Sequence, residues 1–173
     1  MPLNFEFKAR SNCNNALEQS LAALQPRFAG QDHQTDTYFH VPHGRLKLRE
    51  GNIENSLIHY TRSNVAGAKQ SQVLLYQHEP HPSLKAVLAA ALGIKVVVEK
   101  QRRIFYVDNV KLHFDEVAGL GTFVEAEAID TDGTIGPEKL REQCLFFAER
   151  FQIGAGDYIA HSYSDMLLEK GKE

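Results

Sequence analysis

The chain has 173 residues, of which 43% are apolar and 24% charged, and its formal net charge is −3. This length suits one domain over residues 1–173 with a core of its own, and the composition excludes a disordered chain. The small negative charge argues against nucleic acid or an anionic membrane as the main partner. Neither a membrane helix nor a signal peptide is visible, so we expect a soluble cytoplasmic protein.

Alternating apolar and polar residues predict eight β-strands. In the first strand, Leu3, Phe5 and Phe7 share one face, and the polar residues between them share the other. Asp108 and Asn109 mark a hairpin turn between the sixth and seventh strands. The predicted strands cover residues 2–10, 31–40, 44–50, 56–62, 71–78, 94–107, 110–117 and 122–129.

Apolar residues at helical spacing predict four helices. The first starts near the capping residues Ser11 and Asn12 and ends at Pro26. The others cover residues 80–93, 137–151 and 162–169, the last capped by Ser162 or Ser164. Short links between strands favour antiparallel pairing, and no regular βαβ alternation appears. The predicted fold class is therefore α+β, dominated by one large, curved antiparallel sheet.

Several of these strands carry apolar side chains on one face and charged side chains on the other. The simplest interpretation is a sheet with one face packed on helices and the other in water. Arginine and lysine dominate several strands, however, which is unusual for a solvated face. If the sheet closes, the charged face lines a tunnel, and about eight strands close around one small ligand. Cations clustered in such a tunnel would require a multiply charged anion.

Four carboxylates, Asp115, Glu116, Glu125 and Glu127, surround the short link between the last two strands. Glu125 and Glu127 lie two positions apart and therefore point to the same side of their strand. Paired carboxylates repel each other unless solvent, a cation or a basic side chain compensates. Oxygen ligands suit Mg²⁺ or Mn²⁺, and Mg²⁺ commonly bridges carboxylates and substrate phosphates.

Other chemistries have little support. The chain has no phosphate-binding G-x-x-x-x-G-K-[ST] loop, no G-x-G-x-x-G before a helix, no G-x-S-x-G and no H-E-x-x-H. Its eight histidines are scattered, and we interpret them as ordinary surface or core residues.

The order of the charged segments resembles the CYTH superfamily, which includes the class IV adenylyl cyclases and thiamine triphosphatases. The family opens with an E-x-E-x-K motif, and residues 4–8 read NFEFK. The resemblance extends over nearly the whole chain. It implies an eight-stranded antiparallel β-barrel, a triphosphate tunnel with helices packed outside, which binds a triphosphate together with Mg²⁺ or Mn²⁺. Further matching segments are DTYF at 36–39, GRLKLRE at 44–50, LIHYTR at 57–62, VEKQRR at 98–103, GLGTFVEAE at 119–127 and SYSDML at 162–167.

The resemblance also implies roles for individual residues. Arg103 and Glu116 directly follow residues expected to face the tunnel. Successive residues of a strand point to opposite faces, so both are expected outside the tunnel. The first glutamate of the family motif is Asn4 in this chain, an amide that can ligate a metal but brings no charge. The implied phosphate-binding residues are Lys8, Arg45, Lys47, Arg49, Arg62, Lys69, Lys100 and Arg102. The implied metal ligands are Glu6, Asp115, Glu125 and Glu127, and the implied catalytic residues are Glu6, Lys8, Lys100 and Arg102.

The leading hypothesis is an adenylyl cyclase-like enzyme that converts ATP to cyclic AMP and pyrophosphate. A thiamine or inorganic triphosphatase would use the same cations and is the second hypothesis. Asn4 motivates a third, a non-catalytic binder of polyphosphate or nucleotide, and an ordinary scaffold is the fourth. The expected partner is a small-molecule triphosphate, with no nucleic acid and no membrane, and the protein is expected to be a monomer or homodimer.

Overall fold

The computed structural model describes residues 2–62 and 65–172, apart from the side chain of Arg62. Within these ranges the chain forms eight strands and four α-helices, and no helix has the length and apolar character needed to cross a membrane. The strands are β1 (Leu3–Arg10), β2 (Arg27–Phe39), β3 (Arg45–Glu50), β4 (Ser56–Arg62), β5 (Lys69–Gln77), β6 (Ile94–Val107), β7 (Val110–Val117) and β8 (Gly121–Asp130). The helices are α1 (Asn14–Ser20), α2 (Pro82–Leu92), α3 (Pro137–Arg150) and α4 (Tyr163–Lys170).

The eight strands form one closed barrel in the order β1-β5-β4-β3-β2-β6-β7-β8. Every neighbouring pair is antiparallel, including β1 with β8, which closes the barrel. This confirms the predicted eight-stranded antiparallel barrel with helices outside. Because directly paired residues point to the same side of a sheet, the register also decides which side chains face the interior.

Two predicted elements differ from the structure by more than two residues at an end. α1 begins at Asn14 after Cys13, so neither Ser11 nor Asn12 is its N-cap, and it ends at Ser20 before a 3₁₀ turn at Ala22–Leu24. β2 begins at Arg27 rather than at residue 31, because its first residues pair with β6 across an irregularity between Phe28 and Gly30. The local sequence RFAG does not alternate, so periodicity alone did not reveal this part of the strand.

The main hydrophobic core lies outside the barrel wall, between the strands and α3. Phe7 of β1, Leu112 of β7 and Ala126 of β8 point outward and are fully buried. They pack in one cluster with Leu140 and other apolar residues of α3. Burial of the apolar face on this side leaves the alternate residues of the same strands pointing into the barrel.

A second apolar cluster closes one end of the barrel, where β1 ends and β6 begins. Phe123 of β8 and Val98 of β6 pack there against Tyr163 of α4. The α4 helix begins with a capping box, in which the Ser162 side chain accepts from the Asp165 N–H and the Asp165 side chain accepts from the Ser162 N–H. Ser162 is thus the cap, as one of the two predicted candidates.

Candidate active site in the barrel

A cavity of about 1030 Å³ occupies the barrel interior. Its inner end is lined by Tyr38, Tyr60 and Tyr163 near α4. At the opposite end it is lined by apolar residues that are partly in solvent, with Leu75 54% and Tyr76 68% exposed. The cavity therefore has a mouth at the end of the barrel away from α4 and a charged middle section.

Most of the predicted site residues meet in this middle section. The residues that line the cavity are Lys8, Lys47, Arg49, Lys100 and Arg102 from the predicted phosphate set and Glu6, Glu125 and Glu127 from the predicted metal set. Arg103 instead points outward and forms an ion pair with Glu18 of α1 at 2.8 Å. Glu116 is exposed on the outer face, as its parity predicted.

Three predicted residues lie at the α4 end, outside the cavity lining. Arg45 pairs with Asp165 at 2.7 Å, and the Lys69 ammonium donates to the carbonyl oxygen of Ala160 at 2.8 Å. Asp115 lies behind Arg102 and is 1% exposed. The prediction for the Arg62 side chain falls outside the described residues.

Asp36 of β2 organises the cations on one wall. The Arg49 guanidinium donates to both of its carboxylate oxygens, at 2.9 and 2.8 Å, and the Lys100 ammonium donates at 2.7 Å. The Lys47 nitrogen lies 3.5 Å from the same carboxylate. Burial alone would raise the pKa of Asp36, but these three cations hold it well below its ordinary value. Burial lowers the pKa of Lys100 to about 7, although Asp36 acts in the opposite direction.

Arg102 is fixed in a second cluster on β6, β7 and α4. Its guanidinium donates to both oxygens of Asp115, at 2.7 and 2.6 Å, and to Glu125 at 3.3 Å. The Tyr163 hydroxyl also donates to Asp115, at 2.7 Å. Burial alone would raise the pKa of Asp115, but Arg102 lowers it below its ordinary value. Both oxygens of Asp115 are thus already engaged by groups of the protein.

The carboxylates of β1 and β8 form the opposite wall. Glu6 lies directly opposite Glu127, and Lys8 lies opposite Glu125. Burial raises the pKa of Glu127 to about 7, and the negative charge of Glu6 adds to the rise. Burial would also raise the pKa of Glu125, but Lys8 and His113 hold it well below its ordinary value.

Asn4 sits beside this pair and uses its amide as a donor. Its Nδ2 donates to Glu127 at 2.5 Å, and its Oδ1 is buried without a hydrogen-bond partner. In the described part of the chain, no three acidic, histidine or cysteine side chains form a ready-made metal cage. Two facing carboxylates and an unused amide oxygen nevertheless match the oxygen donors that Mg²⁺ and Mn²⁺ prefer, and a cation would relieve the Glu6–Glu127 repulsion. The residues present therefore fit a hard divalent ion.

The family model of the CYTH domain matches residues 3–163. The chain belongs to the CYTH domain family. Among curated proteins, none has a significantly similar sequence.

Solved structures share this CYTH fold at low sequence identity. A conserved hypothetical protein from Pyrococcus furiosus superimposes with a TM-score of 0.78 at 20% identity, covering 94% of this chain and 98% of that one. A protein from Vibrio parahaemolyticus proposed to be an adenylate cyclase has a TM-score of 0.77 at 20% identity, covering 95% and 97%. HpAC1 from Hippeastrum, proposed as an adenylyl cyclase and described as having a dominant triphosphatase activity, has a TM-score of 0.58 at 16% identity, covering 100% and 97%. These likenesses establish the fold.

The CYTH tunnel of this chain also contains residues that sequence reasoning did not assign to the site. Sequence reasoning interprets His113 as an ordinary histidine, yet it lines the cavity and its Nδ1 lies 3.4 Å from Glu125. His113 lies two positions from Asp115 on β7, and residues two apart in a strand share a face, so this spacing could have indicated the site. Asp36 and Lys111 also lie an even number of positions from other inward-facing residues of their strands. Glu54 lies in a turn, where this alternation does not apply.

Internal carboxylates neutralise the tunnel cations. The sequence suggested that an external anion must balance them. Instead, among the described residues, as many carboxylates as cations line the cavity, so the tunnel is already close to neutral. The cations are Lys8, Lys47, Arg49, Lys100, Arg102 and Lys111, and the carboxylates are Glu6, Asp36, Glu54, Glu79, Glu125 and Glu127.

Proposed function

We propose that this CYTH protein is a metal-dependent enzyme that binds a nucleoside or other organic triphosphate in the barrel and acts most like a class IV adenylyl cyclase. The observation that carries the proposal is the charged lining of the cavity. Cations of β1, β3 and β6 and carboxylates of β1 and β8 surround a space large enough for a nucleotide, since ligand pockets commonly have about 300–1000 Å³.

The cations on the wall act on the phosphates. Lys8, Lys47 and Arg49 bind phosphate oxygens, as do Lys100 and Arg102, and fixed cations of this kind stabilise charge that develops at phosphorus. Asp36 and Asp115 hold Arg49 and Arg102 in place, so these guanidiniums need little reorganisation when the ligand arrives. Arg45 of β3 and Lys69 of β5 lie near α4 and remain proposed phosphate ligands. Arg62 of β4, whose side chain is outside the described residues, remains one on the basis of the family resemblance.

Glu6, Glu125 and Glu127 would hold the Mg²⁺ or Mn²⁺ ion. The ion would supply positive charge between these carboxylates and the phosphate oxygens. Asp115 belongs to the sequence-based metal set, but its bonds to Arg102 and Tyr163 favour a positioning role instead.

Cyclisation requires an oxygen–phosphorus bond to form and another to break. The ribose 3′-hydroxyl oxygen attacks the α-phosphorus, the bond from that phosphorus to the pyrophosphate oxygen breaks, and the hydroxyl proton must leave. Lys100 is a suitable acceptor for that proton, because its pKa of about 7 leaves a substantial neutral fraction at neutral pH. Lys8 and Arg102 neutralise the charge that moves to the leaving pyrophosphate.

The apolar mouth favours a ligand with an organic group. Ile53, Leu75 and Tyr76 are exposed at the mouth, and Tyr106 and Ile129 line it further in. A nucleobase or a similar ring would cover part of this apolar surface, whereas inorganic triphosphate would leave it in water.

Two alternative functions follow from particular observations. A triphosphatase would use the same cations and the same proton acceptor with water as the nucleophile, and HpAC1, with the same fold, is described as mainly a triphosphatase. A non-catalytic binder is motivated by Asn4, which leaves the carboxylate set one charge short of the family motif.

Product analysis distinguishes these functions. The protein is incubated with ATP, thiamine triphosphate or inorganic triphosphate, with Mg²⁺, with Mn²⁺ or with a chelator, and the products are separated. We expect cyclic AMP and pyrophosphate from ATP, only with metal. Orthophosphate release would favour the triphosphatase, and tight binding without product would favour the binder, particularly if Asn4→Glu stays inactive.

A matched pair of variants tests the metal site in the same assay. Glu127→Gln removes a carboxylate from the tunnel, and Glu116→Gln removes one from the outer face of the neighbouring strand. We expect turnover to be lost in the first and kept in the second. Unaltered metal-dependent turnover in Glu127→Gln would remove this residue from the site.

A further inference from the structure

Asp32 holds the turn between β3 and β4, residues 51–55, by accepting hydrogen bonds from its backbone N–H groups. The N–H groups of Asn52 and Ile53 donate to Asp32 Oδ1, at 2.6 and 3.0 Å, and that of Glu54 donates to Oδ2 at 3.0 Å. Asp32 is fully buried on β2. A Cβ atom at Gly51 would lie 2.7 Å from Asp32 Oδ1, so the close approach requires glycine. The backbone of the turn therefore has little freedom, and the direction of Glu54 is set by it.

The Glu54 side chain reaches from this turn into the tunnel and joins two of its walls. Its Oε2 accepts from Arg49 of β3 at 3.1 Å and from Gln34 of β2 at 3.1 Å. Its Oε1 accepts from the ammonium group of Lys111 on β7. β3 and β7 are separated in the barrel by β2 and β6, so the carboxylate spans the space between the two walls near the mouth.

These contacts are the ones that a phosphate group would make. Phosphate oxygens and carboxylate oxygens both accept charge-assisted hydrogen bonds from guanidinium and ammonium groups. Burial alone would raise the pKa of Glu54, but Lys111 and Arg49 lower it below its ordinary value, so the carboxylate stays ionised at neutral pH. Glu6, Asp36, Glu125 and Glu127 lie on strands, whereas Glu54 lies on a turn, and rotation of its side chain would free Arg49 and Lys111 without a change in the backbone.

We propose that Glu54 is a specificity-determining residue that occupies the phosphate position nearest the mouth of the tunnel. The inference rests on the proposed binding of triphosphates. A ligand fills the tunnel only if it carries enough negative charge to displace Glu54 from Arg49 and Lys111. Triphosphates meet this condition, and orthophosphate does not. Lys111, which sequence reasoning missed, is then a phosphate-binding residue once Glu54 has moved.

The competing explanation is that Glu54 only holds Lys111 and the turn in place. The two roles predict opposite changes for Glu54→Gln, which keeps the shape of the side chain and removes its charge. If Glu54 competes with the ligand, the variant binds triphosphate more tightly. If Glu54 only supports the structure, the variant binds triphosphate equally well or more weakly, because Lys111 is no longer positioned.

Calorimetric titration with inorganic triphosphate and with orthophosphate, without metal, separates these roles. We expect Glu54→Gln to bind triphosphate about tenfold more tightly than the wild type, since a competing charge-assisted contact is lost. The affinity for orthophosphate should rise by a similar factor in the same variant, because the same competing contact is lost. Glu54→Asp, which keeps the charge but shortens the reach, should also bind triphosphate more tightly, and it provides a second test if Glu54→Gln folds poorly.

Glu50→Gln is the matched control. Glu50 lies on the outer face of β3, near the same turn, and its carboxylate is 3.6 Å from Lys85. The Glu50→Gln variant changes the net charge by the same amount as Glu54→Gln, and its affinity for triphosphate should stay within about twofold of the wild type. The role of Glu54 is overturned if the control gains as much triphosphate affinity as the Glu54 variants, or if neither Glu54 variant binds triphosphate more tightly. The proposed function would still stand in either case. A wild-type protein that binds no triphosphate, with or without metal, overturns both.

Discussion

Three cations that differ in burial approach the single carboxylate of Asp36. Arg49 and Lys100 bond to it directly, whereas the Lys47 nitrogen stays 3.5 Å away and its side chain is 15% exposed. The cations are therefore not equivalent. Arg49 and Lys100 belong to a buried ionic cluster with Asp36. Lys47 has a longer contact with Asp36 and can therefore turn more easily to bind a ligand.

Variants of Lys47 and Arg49 should separate binding from stability. Lys47→Met should weaken triphosphate binding about tenfold, because a phosphate contact is lost, with little change in the free energy of unfolding. Arg49→Met should weaken binding and also lower the free energy of unfolding by about 3–5 kcal/mol, because Asp36 loses its bidentate partner. Calorimetric titration and urea unfolding measure the two effects, with surface variant Lys85→Met as control. Unchanged affinity in Lys47→Met would exclude a role for this residue in binding.

His113 should make the stability of the protein depend on pH. Burial lowers its pKa to about 4 in the folded state, and Arg102 adds to the decrease, whereas an unfolded histidine has a pKa of about 6.5. Between these values the unfolded chain binds more protons, so the free energy of unfolding falls as the pH falls from 6.5 to 4. The loss should reach up to about 3 kcal/mol.

The variant His113→Gln should lack this part of the pH dependence. Urea unfolding at pH 7 and pH 4 should show a smaller acid-induced loss of stability than in the wild type. His43→Gln, at an exposed position, serves as the control and should behave like the wild type. The same acid-induced loss in the wild type and in His113→Gln would assign the effect to other groups.

At the scale of the elements, α4 connects the closed end of the barrel to the site. Asp165 in its first turn belongs to the capping box and also pairs with Arg45. Tyr163 donates to Asp115, which in turn holds Arg102. The position of α4 therefore affects the orientation of a proposed catalytic side chain through two hydrogen-bonded contacts.

Loss of the α4 cap should destabilise the closed end. Ser162→Ala removes the acceptor for the Asp165 N–H, and we expect the free energy of unfolding to fall by about 1 kcal/mol. Ser83→Ala, at an exposed site in the first turn of α2, should change it by less than about 0.5 kcal/mol. Thermal and urea unfolding test both variants, and equal effects would show that the capping box contributes nothing of its own.

The ends of the elements show how far periodicity predicts structure. β6 and β7 run over the predicted residues 94–107 and 110–117, because long alternating segments and the Asp108–Asn109 turn specify them locally. The first residues of β2 do not alternate, and they form a strand because β6 is long enough to pair with them. Pairing with a strand that is distant in the chain depends on the tertiary structure and cannot be predicted from the local sequence.

At the scale of the whole molecule, closure of the barrel converts a charged sheet face into an interior. β1 pairs with both β5 and β8, which bring Lys69 and Glu127 to the two sides of Glu6. Among the described residues, the carboxylates that line the resulting tunnel equal its cations in number. If the tunnel binds a triphosphate, as proposed, the added negative charge is offset by a metal ion near Glu6 and Glu127 or by displacement of the Glu54 side chain.

The amino-acid sequence by itself determined the strands, their inner and outer faces and the membership of most of the charged wall, because alternation with a period of two is a local property of the backbone. The tertiary structure decided which charges meet. The pairing of Asp36 with Arg49 and of Asp115 with Arg102 depends on the register of neighbouring strands. The contact of Glu54 with Lys111 depends on barrel closure and on a turn held by Asp32. Glu54 and Lys111 lie on separate walls of the barrel and 57 positions apart in the chain, and only the three-dimensional fold brings such partners together.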